Sequence, residues 1–161
     1  MSESTSQSIE RDLRAVVAEL DPDAVPLCEV LGAWKRFNAI ETLAASAKTL
    51  LARRVEEGNT WRSAGYRSAA EQLAGIAGSS VNTAKKELET SKRVKRLPRT
   101  ASAMRKGKLS PAKAEAIVSA AHVDPDAEGK LLEGDTKPLA EVREECLNAR
   151  GKDRDRSEAH V

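Results

Sequence analysis

Between Pro26 and Glu57 the chain runs without a proline and with one glycine, Gly32, inside an unbroken apolar stripe. Leu27, Val30, Leu31, Trp34, Phe37, Ile40, Leu43, Ala47, Leu50 and Leu51 recur every three or four residues, the period of an amphipathic helix. Gly32 costs such a helix roughly 1 kcal/mol against alanine, too little to break it. At 1.5 Å per residue the segment is about 48 Å long. A helix of that length is expected to act as a spine along which other helices pack. Gly58-Asn59 ends it.

The rest of the chain agrees with an all-α fold. It holds 26 alanines and only four aromatic residues, Trp34, Phe37, Trp61 and Tyr66, in 161 residues. Alanine, leucine, glutamate, lysine and arginine lose little side-chain freedom in a helix. Six prolines and nine glycines are too few for an architecture of many tight turns. A multi-helix bundle around the long helix is the expected architecture. Ile9–Leu20 reads as a short helix ended by Asp21-Pro22-Asp23, within a tail spanning residues 1–25. The helical domain is expected over 26–149 and a disordered tail over 150–161.

Within that domain, Gly58–Arg67 reads as a loop that Trp61 and Tyr66 anchor. Ser68 caps a helix reaching Ala77, and Ser79-Ser80 opens another from Val81 to Leu97, which Pro98 breaks. Arg99–Lys106 adds a turn or two, stopped by Gly107. Ser110-Pro111 opens a helix to Val123, and further helices are expected over Ala127–Glu133 and Leu139–Ala149.

Charge is unevenly placed. The net charge is +2, yet residues 81–109 carry 10 basic side chains against 2 acidic ones. That segment lies in a stretch, 68–97, with a helix–turn–helix-like pattern. Ala74 permits close helix crossing, and Gly78 supplies a tight turn. At 100° per residue, Val81, Ala84, Leu88, Ser91 and Val94 fall inward. Asn82, Lys85, Lys86, Glu89, Arg93 and Arg96 fall on the opposite arc, with Lys92 and Lys95 near the boundary. Cations and an asparagine on one exposed face, with hydroxyls at the helix start, have the chemistry to contact phosphates and base edges. Ser79, Ser80, Asn82, Thr83, Lys85, Lys86, Arg93 and Arg96 are therefore the candidate DNA-binding residues, and duplex DNA is the expected partner. A solvated face of an ordinary bundle would carry similar charge. The rival reading is a helical protein–protein interaction or dimerisation domain, with a second copy pairing through the 26–57 helix.

No catalytic constellation emerges. His122 and His160 are far apart and give no zinc-ligand spacing, and neither has a recognisable Ser or Cys partner. Glu56-Glu57 and Glu144-Glu145 are adjacent, so their side chains diverge by about 100° on a helix. No phosphate-binding glycine loop occurs. No enzyme activity, metal, cofactor or small-molecule substrate is expected. Cys28 and Cys146 read as reduced, small apolar residues. Without an apolar run of about 18 residues or a secretory leader, a cytoplasmic protein is expected.

A set of separated motifs carries a family resemblance: Gly58-Asn59-Thr60-Trp61, Gly65-Tyr66-Arg67-Ser68, Leu73-Ala74, Gly78-Ser79 with Ala84, Leu97-Pro98-Arg99-Thr100-Ala101, and Gly107-Lys108-Leu109-Ser110 with Ala114 and Ile117. In this order they resemble the 13E12 repeat family, domain of unknown function 222, over about residues 26–150. The resemblance implies a helical module with a helix–turn–helix-like segment, found upstream of an HNH endonuclease domain in bacterial and phage proteins. The histidine frame of an HNH site has no counterpart here, so the chain is expected to match the non-catalytic part of such proteins.

Overall fold

The computed structural model describes residues 3–122, 127–132, 140–144 and 147. The fold is all-α, with no strand among the described residues. Its helices are α1 (Glu3–Ala18), α2 (Leu27–Gly58), α3 (Thr60–Ser63), α4 (Ala69–Ala77), α5 (Val81–Val94), α6 (Pro98–Arg105), α7 (Pro111–Ala121) and α8 (Ala127–Leu132). Residues 140–144 are also helical. None of the described helices is long and apolar enough to cross a membrane. The chain divides into two units, residues 1–38 and 39–161, and the division falls within α2.

In the first unit, helix α1 starts at Glu3, well before the apolar stripe that marks Ile9–Leu20. A 3₁₀ turn over Pro22–Ala24 follows, with the Asp21 carboxylate accepting from the Asp23 N–H at 3.1 Å. α2 matches its sequence-derived bounds to within a residue at each end, but most of its stripe is exposed, while Leu50 packs against the larger core cluster and Phe37 is half-buried. No described side chain from 4 to 38 is buried. Trp34 is 62 % exposed, and Leu27 and Leu31 are exposed as well. Periodicity marks which face of a helix is apolar without saying what covers it. Cys28, read as a reduced, small apolar residue, is a free cysteine and exposed.

In the second unit, the residues that α2 buries are small: Ser46, Thr49 and Ala52. They let α5 approach closely enough for the Arg53 backbone N–H to donate to Ser91 Oγ at 3.0 Å. Leu43 and Leu51 of the stripe lie outside this contact and are exposed. An alanine-lined cluster of Ala52, Ala69, Ala70, Ala74, Ala84 and Leu88 joins α2, α4 and α5, with Trp61 and Leu73 against it. The loop containing Trp61 forms a single helical turn, α3. The Tyr66 hydroxyl lies 3.5 Å from where a Cβ on Gly75 would stand, so both loop aromatics seat against neighbouring structure. The larger core joins α5, α6, α7 and α8 through Val94, Leu97, Met104, Leu109, Ile117, Val118 and Leu131.

Two devices hold these helices in register. Gly78 ends α4 in the left-handed conformation (φ 63°, ψ 29°), and the Gly78 and Ser79 N–H groups both donate to Ala74 O. A Cβ there would meet no atom within 4 Å, so the demand is on the backbone alone. Gly78→Ala is expected to lower stability by roughly 1–2 kcal/mol in urea unfolding, the cost of left-handed backbone with a Cβ. The second device was not legible in sequence. Glu128 of α8 is buried, and its Oε1 accepts from the Thr100 N–H at 2.8 Å and Thr100 Oγ1 at 2.9 Å. It thus caps α6 from a distant point in the chain. Glu128→Ala leaves two buried donors unpaired and is expected to lower the unfolding free energy by about 1–3 kcal/mol. Glu128→Gln, which keeps the accepting oxygen, is expected to recover most of that.

Candidate nucleic-acid interface

The α4–α5 segment follows its capping residues closely. Ser68 Oγ accepts from the Glu71 N–H at 3.1 Å, while Glu71 Oε2 reaches back to the Arg67 N–H at 2.6 Å. Ser80 opens α5: its Oγ accepts from the Thr83 N–H at 3.0 Å and lies 2.9 Å from Thr83 Oγ1. The Ser80 and Thr83 hydroxyls are thus engaged in starting the helix. Ser79 is exposed in the turn. Val81, read as inward, is exposed, as is Ile76 near the end of α4, on the other side of the Gly78 turn.

Beyond its first turn, α5 has two distinct sides. Ala84, Leu88, Thr90, Ser91 and Val94 are buried. Ser91, fully buried, receives the α2 backbone, and Thr49 Oγ1 of α2 donates to Glu87 Oε1 at 3.3 Å. α4 packs on the Ala84–Leu88 side and α7 runs alongside. The remaining arc carries Asn82, Lys85, Lys86, Glu89, Lys92 and Arg96, all exposed, with Arg93 half-buried. Lys85 and Arg93 are about 12 Å apart along the helix axis at 1.5 Å per residue. Arg96 sits in the turn after α5, where its N–H donates to Arg93 O at 2.9 Å.

The cations of this arc differ in their surroundings. Lys86 Nζ lies 3.8 Å from Glu115 Oε1 of α7. Lys92 Nζ lies 2.9 Å from Glu56 Oε2 of α2 and 3.3 Å from Glu89 Oε1. The hydrogen bond to Glu56 holds the Lys92 ammonium above its usual pKa, against a smaller opposing effect of burial. Because that pKa is raised on folding, the small stability it contributes is present through neutral pH. It fades only as pH rises past about 10.4 and through the folded value. Lys85, Arg93 and Arg96 have no carboxylate within 4.0 Å among the described residues.

Two grooves border the arc. One, about 320 Å³, is lined by Lys85, Lys86 and Arg93 together with the acids Glu89 and Glu115. The other, about 440 Å³, lies between the ends of α5 and α7. There Lys92, Arg93 and Arg96 stand beside buried Leu97, Val118 and Ala121, with exposed His122 at the rim. Lys85, Lys86 and Arg96 are exposed as the sequence pattern expects, whereas Arg93, expected on the same open arc, is half-buried. The sequence does not reveal Glu56 and Glu115, since each meets its lysine only through tertiary packing.

These features define an all-α module in which a short helix, a glycine turn and a second helix present one basic face from a packed core. The family model for the domain of unknown function DUF222 matches residues 31–142, and the chain belongs to that family. No curated protein and no solved structure matches the chain.

Proposed function

We propose that the chain is a non-catalytic module that binds duplex DNA through the exposed arc of α5, with α4, Gly78 and α5 acting as a helix–turn–helix. One observation carries the reading: Asn82, Lys85 and half-buried Arg93 lie along one face of α5, with exposed Arg96 in the turn that follows, while the helix's other side is fixed in the core. Lys85, Arg93 and Arg96 suit phosphates, while Asn82, nearer the helix start, suits a base edge. Ser79, Ser80 and Thr83 lie at the same end, where the cap leaves the Asn82 amide free to read sequence. The proposal includes association with HNH endonuclease-type proteins and a cytoplasmic location.

The test is fluorescence anisotropy with a labelled duplex across a salt series. Lys85→Ala/Lys86→Ala is expected to weaken binding and flatten the slope of log K against log salt by roughly two, about 0.9 per lost phosphate contact. Binding as tight as the parent's at every salt concentration would overturn the assignment. Exposed charges contribute little to folding, so the circular dichroism spectrum should not change. A second reading, self-association through the 26–57 helix, draws on the exposure of Leu27, Leu31 and Trp34. Mass in solution separates it: a concentration-independent monomer removes that reading.

A further inference from the structure

We infer that Glu115 and Glu56 are internal competitors for DNA phosphate. They hold two cations of the α5 arc against the protein's own surface until a duplex displaces them. The inference rests on the DNA-binding reading above and concerns how that site is regulated.

The two carboxylates come from two different helices, α7 and α2. Glu115 of α7 meets Lys86 at 3.8 Å, and Glu56 of α2 meets Lys92 at 2.9 Å. In both pairs the groups remain substantially open to solvent, with side-chain exposures of 69 % and 49 % for Lys86 and Glu115. An exposed pair of this kind is weak, so it is exchangeable. A phosphate arriving at Lys86 replaces one oxyanion by another and leaves the Glu115 carboxylate to solvent. Each exchange costs the energy of the pair, and the unpaired carboxylate then lies near the polyanion, which adds repulsion. Lys85, Arg93 and Arg96 have no such competitor among the described residues. They make the initial contact, and Lys86 and Lys92 join when the backbone is close enough to outbid the carboxylates. The two acids thereby keep loose, non-specific binding weak.

The test is a pair of double-mutant cycles read by duplex binding in low and moderate salt. Glu115→Gln and Glu56→Gln are each expected to tighten binding by about two- to five-fold at low salt, with the gain shrinking as salt screens the pair. In a Lys86→Ala background the Glu115→Gln gain should vanish, and likewise Glu56→Gln in Lys92→Ala. Equal gains with and without the partner lysine would show a general charge effect and overturn the inference. So would no gain in either single variant. A parent protein that binds DNA in both conditions but shows no coupling leaves the DNA-binding reading standing. A parent that binds no duplex at any salt concentration removes both.

Discussion

Replacing Ile117 by alanine is expected to lower the free energy of unfolding by about 2–5 kcal/mol, the range for deleting a buried aliphatic side chain and leaving a cavity. Ile117 is 1 % exposed and sits in the cluster formed with Met104, Leu109, Ala114, Val118 and Leu131. Its surroundings come from α6, α7 and α8, so the cavity cannot close by a shift of one surface loop. Against a typical total of about 5–15 kcal/mol, the loss is a large share. For a chain of this size it should appear as a fall in melting temperature of roughly 10 °C. Thermal and urea unfolding followed by circular dichroism measure it. A loss below about 1 kcal/mol would mean that α7 is not part of the core, and the placement of Glu115 beside Lys86 would fail with it.

How much of this was legible in the sequence depends on the range over which each feature is decided. Helix starts at Ser68, Ser80 and Ser110 were readable because a hydroxyl caps an N–H three residues on, within one turn. The bounds of α2 were readable from other local signals, Pro26 at its start and Gly58-Asn59 at its end. Its buried face was not. The apolar stripe is longest over 27–34, where the side chains are exposed, whereas the buried positions are Ser46, Thr49 and Ala52. Close helix approach selects small residues, and a hydrophobic pattern gives such residues no weight. Lys92 illustrates the same limit at the site: its place near the apolar boundary was correct, but Glu56 reaches it from 36 positions earlier in the chain. Glu128, which caps α6 through Thr100, had no local signal at all. The helices Leu139–Ala149 and the tail over 150–161 lie largely outside the described residues.

The second large effect concerns binding. Changing Lys85, Arg93 and Arg96 together to glutamine keeps much of their length, and so the packing of half-buried Arg93, while removing three positive charges. Hydrogen bonds to charged groups contribute about 1.5–3 kcal/mol each. Loss of three phosphate contacts should therefore weaken duplex binding by about a thousandfold or more at low salt. The melting temperature should stay close to the parent's, because these cations have no ion-pair partner among the described residues to lose. Anisotropy titrations beside a thermal melt report both quantities. A stable triple variant that binds within threefold of the parent would place the duplex, if it binds at all, on another surface.

The most direct test of the central claim is the salt dependence of duplex binding by the unmodified chain. Residues 81–109 hold the one strongly basic stretch, and the arc of α5 with the turn after it carries Lys85, Lys86, Lys92, Arg93 and Arg96. With three to five phosphates neutralised, log K should fall against log salt with a slope of roughly −3 to −5, at about −0.9 per contact. Measured affinity that follows this line, and loses it in the triple glutamine variant, is the predicted result. Absence of binding at low salt, or binding whose slope is near zero, would contradict the account.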